Sequence, residues 1–190
     1  MRIGIDIDET IASTFEPAFD FAKNRYGFDA AFDDLTHHDW SNVEKLGISK
    51  EKEVAIFREF YAHTKHETVN PVPGSVAGCQ SLLRSGHELF AITGRSGHTR
   101  EPTERWLSQH FPNVFSGLVF TGHLSGERRP KSEVCQELEI SEMVEDNMDF
   151  ALDLVHNGIR THLLDRPWNR ARTDTHPLLV RISGWHELNI

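Results

Sequence analysis

Apolar and polar positions change their period along the chain, and those changes predict its elements. Ile3-Gly4-Ile5-Asp6-Ile7 is a short β-branched run that ends in acid, as a buried strand does. Gly86-His87-Glu88-Leu89-Phe90-Ala91-Ile92 reads as a second strand, followed by a helix through Glu101–Gln109. A strand near Leu118–Phe120, a helix from Ser132 to Leu138, a strand ending at Val144 and a helix over Phe150–Asn157 continue the rhythm. Thr161–Leu164 and Leu178–Ile182 are extended segments that close the chain. Strands alternating with helices predict βαβ units, and so an α/β fold with a doubly wound, Rossmann-like, mainly parallel sheet.

Residues 14–73 break that rhythm. Phe15, Phe19 and Ala22 mark one helical pattern and Val54, Phe57 and Tyr61 another, each with apolar residues three and four apart. Between them lies an aromatic and polar segment, Leu35-Thr36-His37-His38-Asp39-Trp40. Asn70-Pro71-Val72-Pro73-Gly74 then punctuates the return to the main unit. The expected organisation is a core of residues 1–13 and 74–190, with a small helical cap, residues 14–73, inserted after the first strand. Its place directly after an acidic loop marks the cap as a substrate cover.

Composition narrows the class. Among 190 residues, 38% are hydrophobic and 26% charged, which describes a globular chain and not a disordered or fibrous one. No apolar run approaches the roughly 20 residues of a membrane span. Lys and Arg number 20 against 29 Asp and Glu, a net charge of −9. That balance argues against a nucleic-acid polymer or an anionic membrane surface as partner. An anionic substrate would therefore need a local cationic pocket. Cys79 and Cys135 form no motif and read as reduced thiols. Met1-Arg2 leads straight into the first strand without a signal peptide, so a cytoplasmic location is expected.

Open parallel sheets place their sites at the carboxyl ends of the strands. The first strand delivers Asp6, Asp8, Glu9 and Thr10, and the second Thr93, Gly94 and Arg95. Lys131 begins a helix just after Arg128, Arg129 and Pro130. The fourth strand delivers Glu145, Asp146 and, a turn later, Asp149. Singly each has a structural explanation: Asp8 and Thr10 as turn formers, Thr93 and Ser132 as helix caps, Lys131 as a solvated charge. Together they converge on one edge. Carboxylates gathered at one point repel unless a hard cation joins them, and magnesium binds through few carboxylates while keeping waters. A lysine and backbone amides facing that cation complete a phosphate pocket. An aspartate there can attack phosphorus while a second carboxylate gives acid–base help, so phosphoryl transfer is the expected chemistry.

Asp6-Ile7-Asp8-Glu9-Thr10, Ile92-Thr93-Gly94-Arg95, Pro130-Lys131-Ser132 and Glu145-Asp146-Asn147-Met148-Asp149 resemble the four ordered motifs of the haloacid dehalogenase-like phosphatase superfamily. The resemblance implies that Asp6 is the nucleophile and that Asp8 is the general acid and then the base. It pairs Thr93 and Lys131 on the phosphate, with Gly94 and Arg95 beside them. Magnesium would lie on Asp6, the backbone carbonyl of Asp8 and Asp146, with Glu145 and Asp149 as supporting acids of unassigned role. Glu9 departs from the glycine of many members and resembles the start of phosphatases acting on phosphoproteins. The cap, Asp165-Arg166-Pro167-Trp168-Asn169-Arg170 and Arg181-Ile182-Ser183-Gly184-Trp185-His186-Glu187-Leu188 resemble the 5′(3′)-deoxyribonucleotidase family and its bacterial relatives. That implies hydrolysis of nucleoside monophosphates, in a family group where homodimers are common. Trp168 and Trp185 have a plainer reading as anchors of the last strands.

Other residues stand between chemistry and packing. Phe15 and Phe19 have the spacing of core positions, whereas Trp40, in an expected loop of the cap, is the choice for stacking on a base, with His37 or His38 reading its edge. Arg95 reads equally as a phosphate contact or a helix cap. His63 and His66 lack the partners of a zinc site, and Glu51-Lys52-Glu53 is a solvated face. Two rival functions remain: a phosphatase of another small metabolite such as a phosphosugar or cofactor phosphate, and a phospho-accepting signalling domain that holds its aspartyl-phosphate. A cap over the site disfavours a folded phosphoprotein substrate.

Overall fold

The computed structural model describes residues 1–63, 69–122 and 129–190. Its centre is one six-stranded sheet of β1 (Arg2–Ile5), β2 (Glu88–Thr93), β3 (Phe115–Phe120), β4 (Ile140–Glu145), β5 (Arg160–Leu164) and β6 (Leu179–Ile182). The strands lie in the order β3-β2-β1-β4-β5-β6, and every pairing is parallel. This is the doubly wound sheet expected from the alternating pattern. Helices α3 (Ser75–Arg84), α4 (Arg100–His110), α5 (Lys131–Glu137) and α6 (Met148–His156) link the strands. No helix among the described residues is long and apolar enough to cross a membrane.

Both faces of the central strand β1 are covered: Ile3 and Ile5 on one side and Gly4 on the other are all buried, as in a strand of a sheet with helices on both faces. Ile5 pairs with Ala91 of β2 and Val144 of β4, so the three strands finish at one edge, within two residues of one another. The chain runs from β1 outward to β2 and β3, then returns to β4 on the other side. The ends of β1 and β4 therefore flank a switch point in strand order, where open sheets leave a crevice.

Several expected boundaries move for local reasons. Helix α3 has no counterpart among the elements expected from the sequence, although a right-handed link between parallel neighbours needs one. The strand expected from Gly86 begins at Glu88, because Gly86 and His87 close α3: their N–H groups bond to Leu83 and Leu82, with Gly86 at φ +82°. Tight packing explains Gly78 in α3, where a β-carbon would clash with the Trp185 ring. Cys79 and Cys135 are free and buried, and burial pushes both thiols up to about 12, so they are unreactive.

Among the described residues between β1 and α3 are α1 (Phe15–Tyr26), three short 3-10 turns and α2 (Lys50–His63). Pro17 sits in the first turn of α1, where its missing N–H is harmless, and Gly27 ends the helix in a left-handed conformation. Phe15, Phe19 and Phe57 are buried around Trp40, and this aromatic group is continuous with the core beneath the sheet, which includes Ile3, Ile5 and Trp168. His66 and Arg128 lie outside the described residues.

Candidate active site

At the carboxyl edge, Asp6 follows β1 and its N–H still bonds to Val144 of β4, at 3.0 Å. Glu145 ends β4 and Asp146 follows it. Ligand oxygens of Asp6, Glu145 and Asp146 lie within 4.8 Å of one another, and all three residues are buried. Lys131, the first residue of α5, reaches in from the side. Its Nζ stands 2.6 Å from Asp6 Oδ1 and 2.6 Å from Glu145 Oε2. Burial alone would lower the lysine, but the two carboxylates raise it, so it is a fixed cation. Burial pushes the Asp6 carboxyl up to about 7 despite Lys131, with Glu145 and Asp8 adding repulsion. Asp146 is likewise raised well above the usual carboxylate range, first by burial.

Asp8 is held differently. Arg95 Nε donates to one of its oxygens at 2.8 Å and Nη2 to the other at 2.7 Å. Arg95 is 2% exposed, and its remaining guanidinium nitrogen donates to Thr103 Oγ1 at 2.9 Å. Burial opposes the charge on Arg95, but Asp8 outweighs it and the group is raised on balance. Tyr61, on helix α2, brings its hydroxyl to 3.5 Å from Asp8 Oδ1. Burial, then Asp8, pushes its phenol above the usual range, so it stays a donor.

The pocket is thus lined by six carboxylates (Asp6, Asp8, Asp39, Glu53, Glu145, Asp146) and two permanent cations (Lys131, Arg95), an excess of four negative charges when all are ionised and His38 is neutral. An all-oxygen, buried and charge-deficient donor set fits a hard divalent cation such as magnesium. Asp6, Glu145 and Asp146 are the side chains placed to hold it.

The other residues selected from the sequence fall in several places. Gly94 and Arg95 line the cavity over Asp6, with Phe15, His38, Phe57 and Tyr61, from the segment between β1 and α3, as its opposite wall. Thr93 is fully buried behind them, and its Oγ1 accepts the Arg95 N–H at 3.1 Å. Asp149 stands apart from the acids: Asn147 caps its N–H, and its carboxylate meets Arg172 at 2.9 Å on the exposed side. Trp40 needs correction. It is fully buried against Phe15, Phe19 and Phe57 and does not line the cavity, because a 3-10 turn folds it inward. Phe15, read as a packing residue, does both jobs. His38 is raised, since Asp39 and Asp146 outweigh the effect of burial, whereas His37 turns aside to accept the Asp39 N–H.

Glu9 has a structural task instead of a substrate one. Its Oε1 accepts the N–H groups of Thr14 and Phe15, both at 2.6 Å, and so caps α1, whose Thr14 side chain makes no cap bond. The residue adopts φ +57°, which explains why glycine suits this position. Burial pushes its carboxyl up to about 7 in spite of those bonds.

Beside the site, on the α4 side, lies a second and larger cavity of about 510 Å³, whose walls include Val54, Phe57, Arg58, Tyr61, Arg95 and His98. Phe57, Tyr61 and Arg95 border both spaces.

No family model matches the chain. A Bacillus cereus protein named "Putative nucleotidase" is 24% identical over 191 residues, spanning 99% of this chain and 96% of that one. Among solved structures, a haloacid dehalogenase-like family hydrolase from Streptococcus pneumoniae superposes with a TM-score of 0.67 at 14% identity, over 95% of this chain and 92% of that chain. CbbY from Rhodobacter sphaeroides, in complex with phosphate, gives 0.61 at 17% identity, over 98% and 95%.

Proposed function

We propose that this chain, which has the haloacid dehalogenase-like fold, is a magnesium-dependent phosphomonoesterase acting on nucleoside monophosphates. The observation that carries the reading is the Asp6–Lys131–Glu145–Asp146 cluster at the switch point, with Asp8 beside it and an open cavity next to it. Asp6 attacks phosphorus and the bond to the ester oxygen breaks, leaving an aspartyl-phosphate. Asp8 gives a proton to the departing alkoxide, then takes one from the water that releases phosphate. Lys131 and the backbone around Gly94 offset charge on the phosphoryl oxygens. A bound magnesium ion would supply further neutralisation between Asp6 and Asp146.

The nucleotide rests on two supports. One is the full-length likeness to the Bacillus cereus protein. The other is the cavity beside the cluster, which falls in the size range of small-molecule sites and is walled by Val54, Phe57 and Tyr61, with Arg58 and His98 at hand. Against a phospho-accepting switch stands the cap, which covers Asp6 with Phe15, Phe57 and Tyr61 and leaves little room for a protein donor.

The test is phosphate release from ribo- and deoxyribonucleoside monophosphates, phosphosugars and an aryl phosphate, with magnesium, with chelator, and in Asp6→Asn. Selective, magnesium-dependent release from nucleotides that vanishes in the variant is expected. Preference for a phosphosugar would refute the substrate, and a stable phosphoryl-enzyme without turnover would refute the phosphatase.

A further inference from the structure

The Arg166-Pro167-Trp168-Asn169 loop that follows β5 has no part in the chemistry above, yet three of its side chains reach the catalytic edge. Arg166 donates through Nε and Nη2 to the backbone carbonyl of Glu9, at 2.9 and 2.6 Å. Asn169 Nδ2 donates to the carbonyls of Asp146 and Leu164, at 2.7 and 2.8 Å. Its amide cannot be turned over, because Oδ1 already accepts the Arg166 N–H and Arg181 Nη1, both at 3.2 Å. Trp168 Nε1 donates to Asp146 Oδ2 at 2.9 Å. Tryptophan, asparagine and aspartate are all buried, so no solvent competes for these bonds.

We propose that Trp168 is the positioning residue of the cation site, holding the Asp146 carboxylate in one fixed orientation. The inference rests on the reading of Asp6, Glu145 and Asp146 as magnesium ligands. An aspartate's terminal torsion is broad, so a ligating carboxylate needs a donor to select one orientation. Asn169 fixes the backbone of Asp146, and the indole N–H fixes its head. Packing alone would need only the ring, which already lies against Phe15 at a centroid distance of 4.8 Å; the N–H aimed at the carboxylate is the additional feature. Outer partners of this kind typically change metal affinity by about 10–100-fold when removed. The same ring faces His38, edge-on at 6.3 Å, so one side chain joins the ligand to the opposite wall of the cavity.

The test replaces Trp168 in the full chain with β-(3-benzothienyl)alanine, which keeps the bicyclic shape and puts sulfur in place of the N–H. Magnesium chloride is titrated calorimetrically, and the melting temperature is taken without metal. The expected result is a Kd about tenfold or more above wild type with an unchanged metal-free melting temperature. Trp168→Phe should share the weaker binding. A benzothienyl variant with wild-type Kd overturns the role of Trp168, as does a loss of binding that merely tracks a loss of folded protein. A wild-type chain that binds no magnesium overturns the cation reading itself, and is recognised by that separate result.

Discussion

Glu9 is where backbone strain and helix capping oppose each other, and its substitution measures both. The carboxylate satisfies two N–H groups at the start of α1, and its own backbone sits at φ +57°. An unsatisfied buried donor costs about 1–3 kcal/mol, so Glu9→Ala, which removes the acceptor and keeps the strained backbone, should destabilise by about 3 kcal/mol once water has partly reached the two groups. Glu9→Gly loses the same acceptor but relieves about 1 kcal/mol of left-handed strain, for a net loss of about 2 kcal/mol. Glu9→Gln keeps an oxygen where Oε1 stands and should lose less than about 1 kcal/mol. In a chain of this size each kcal/mol moves the melting temperature by roughly 2–4 °C. The ladder therefore reads as about 6–12 °C for alanine and 4–8 °C for glycine, by calorimetry or urea midpoint. A glycine variant as stable as wild type would refute the reasoning, because strain would then outweigh the cap. A glutamine variant as poor as alanine would show that the charge matters and the acceptor does not.

Two further outcomes follow from the same geometry. Arg95→Lys retains a cation but cannot hold both oxygens of Asp8, so single-turnover release of the alcohol from an alkyl phosphate should slow by about 10²-fold, the lower end of what general acid–base catalysis contributes; single-turnover release from an aryl phosphate with a good leaving group should be nearly spared, because only the later attack of water then needs Asp8, and equal loss on both esters in that first step would refute the assignment. Burial raises the Asp6 carboxyl to about 7, so the folded state keeps a proton that the unfolded chain releases near its ordinary value of 3.8. The contribution to stability is full below that ordinary value and is lost as pH rises through about 7. Metal-free Asp6→Asn should gain in melting temperature relative to wild type between about pH 5 and 8, and magnesium should close part of the gap by binding the wild type; parallel melting curves across that range would contradict it.

The acidic strand end at Asp6, the lysine opening α5 and the Glu145-Asp146 pair were legible because each is local: a β-branched run ending in acid, a charge after proline, a strand followed by carboxylates. A parallel sheet whose strands finish at one edge then forces them together, so the order of elements was enough to place the cluster. Trp40 was misread for the opposite reason. Polar neighbours mark it as a loop residue, and only the 3-10 turn at Trp40–Asn42 rotates its ring into the interior.

Contacts made across long separations were beyond any pattern. Arg95 meets Asp8 across 87 positions, Trp168 meets Asp146 across 22, and Arg166 meets the carbonyl of Glu9 across 157. Periodicity records which face of an element is buried, because that is decided by its own geometry and by water. Which donor faces which acceptor is decided by how elements stack, and several pairings satisfy the same pattern equally well. The sequence by itself therefore determined the sheet, the edge and the charged groups brought to it. The tertiary structure alone decided that Arg95 holds Asp8, that Glu9 caps α1, and that an indole N–H points at Asp146.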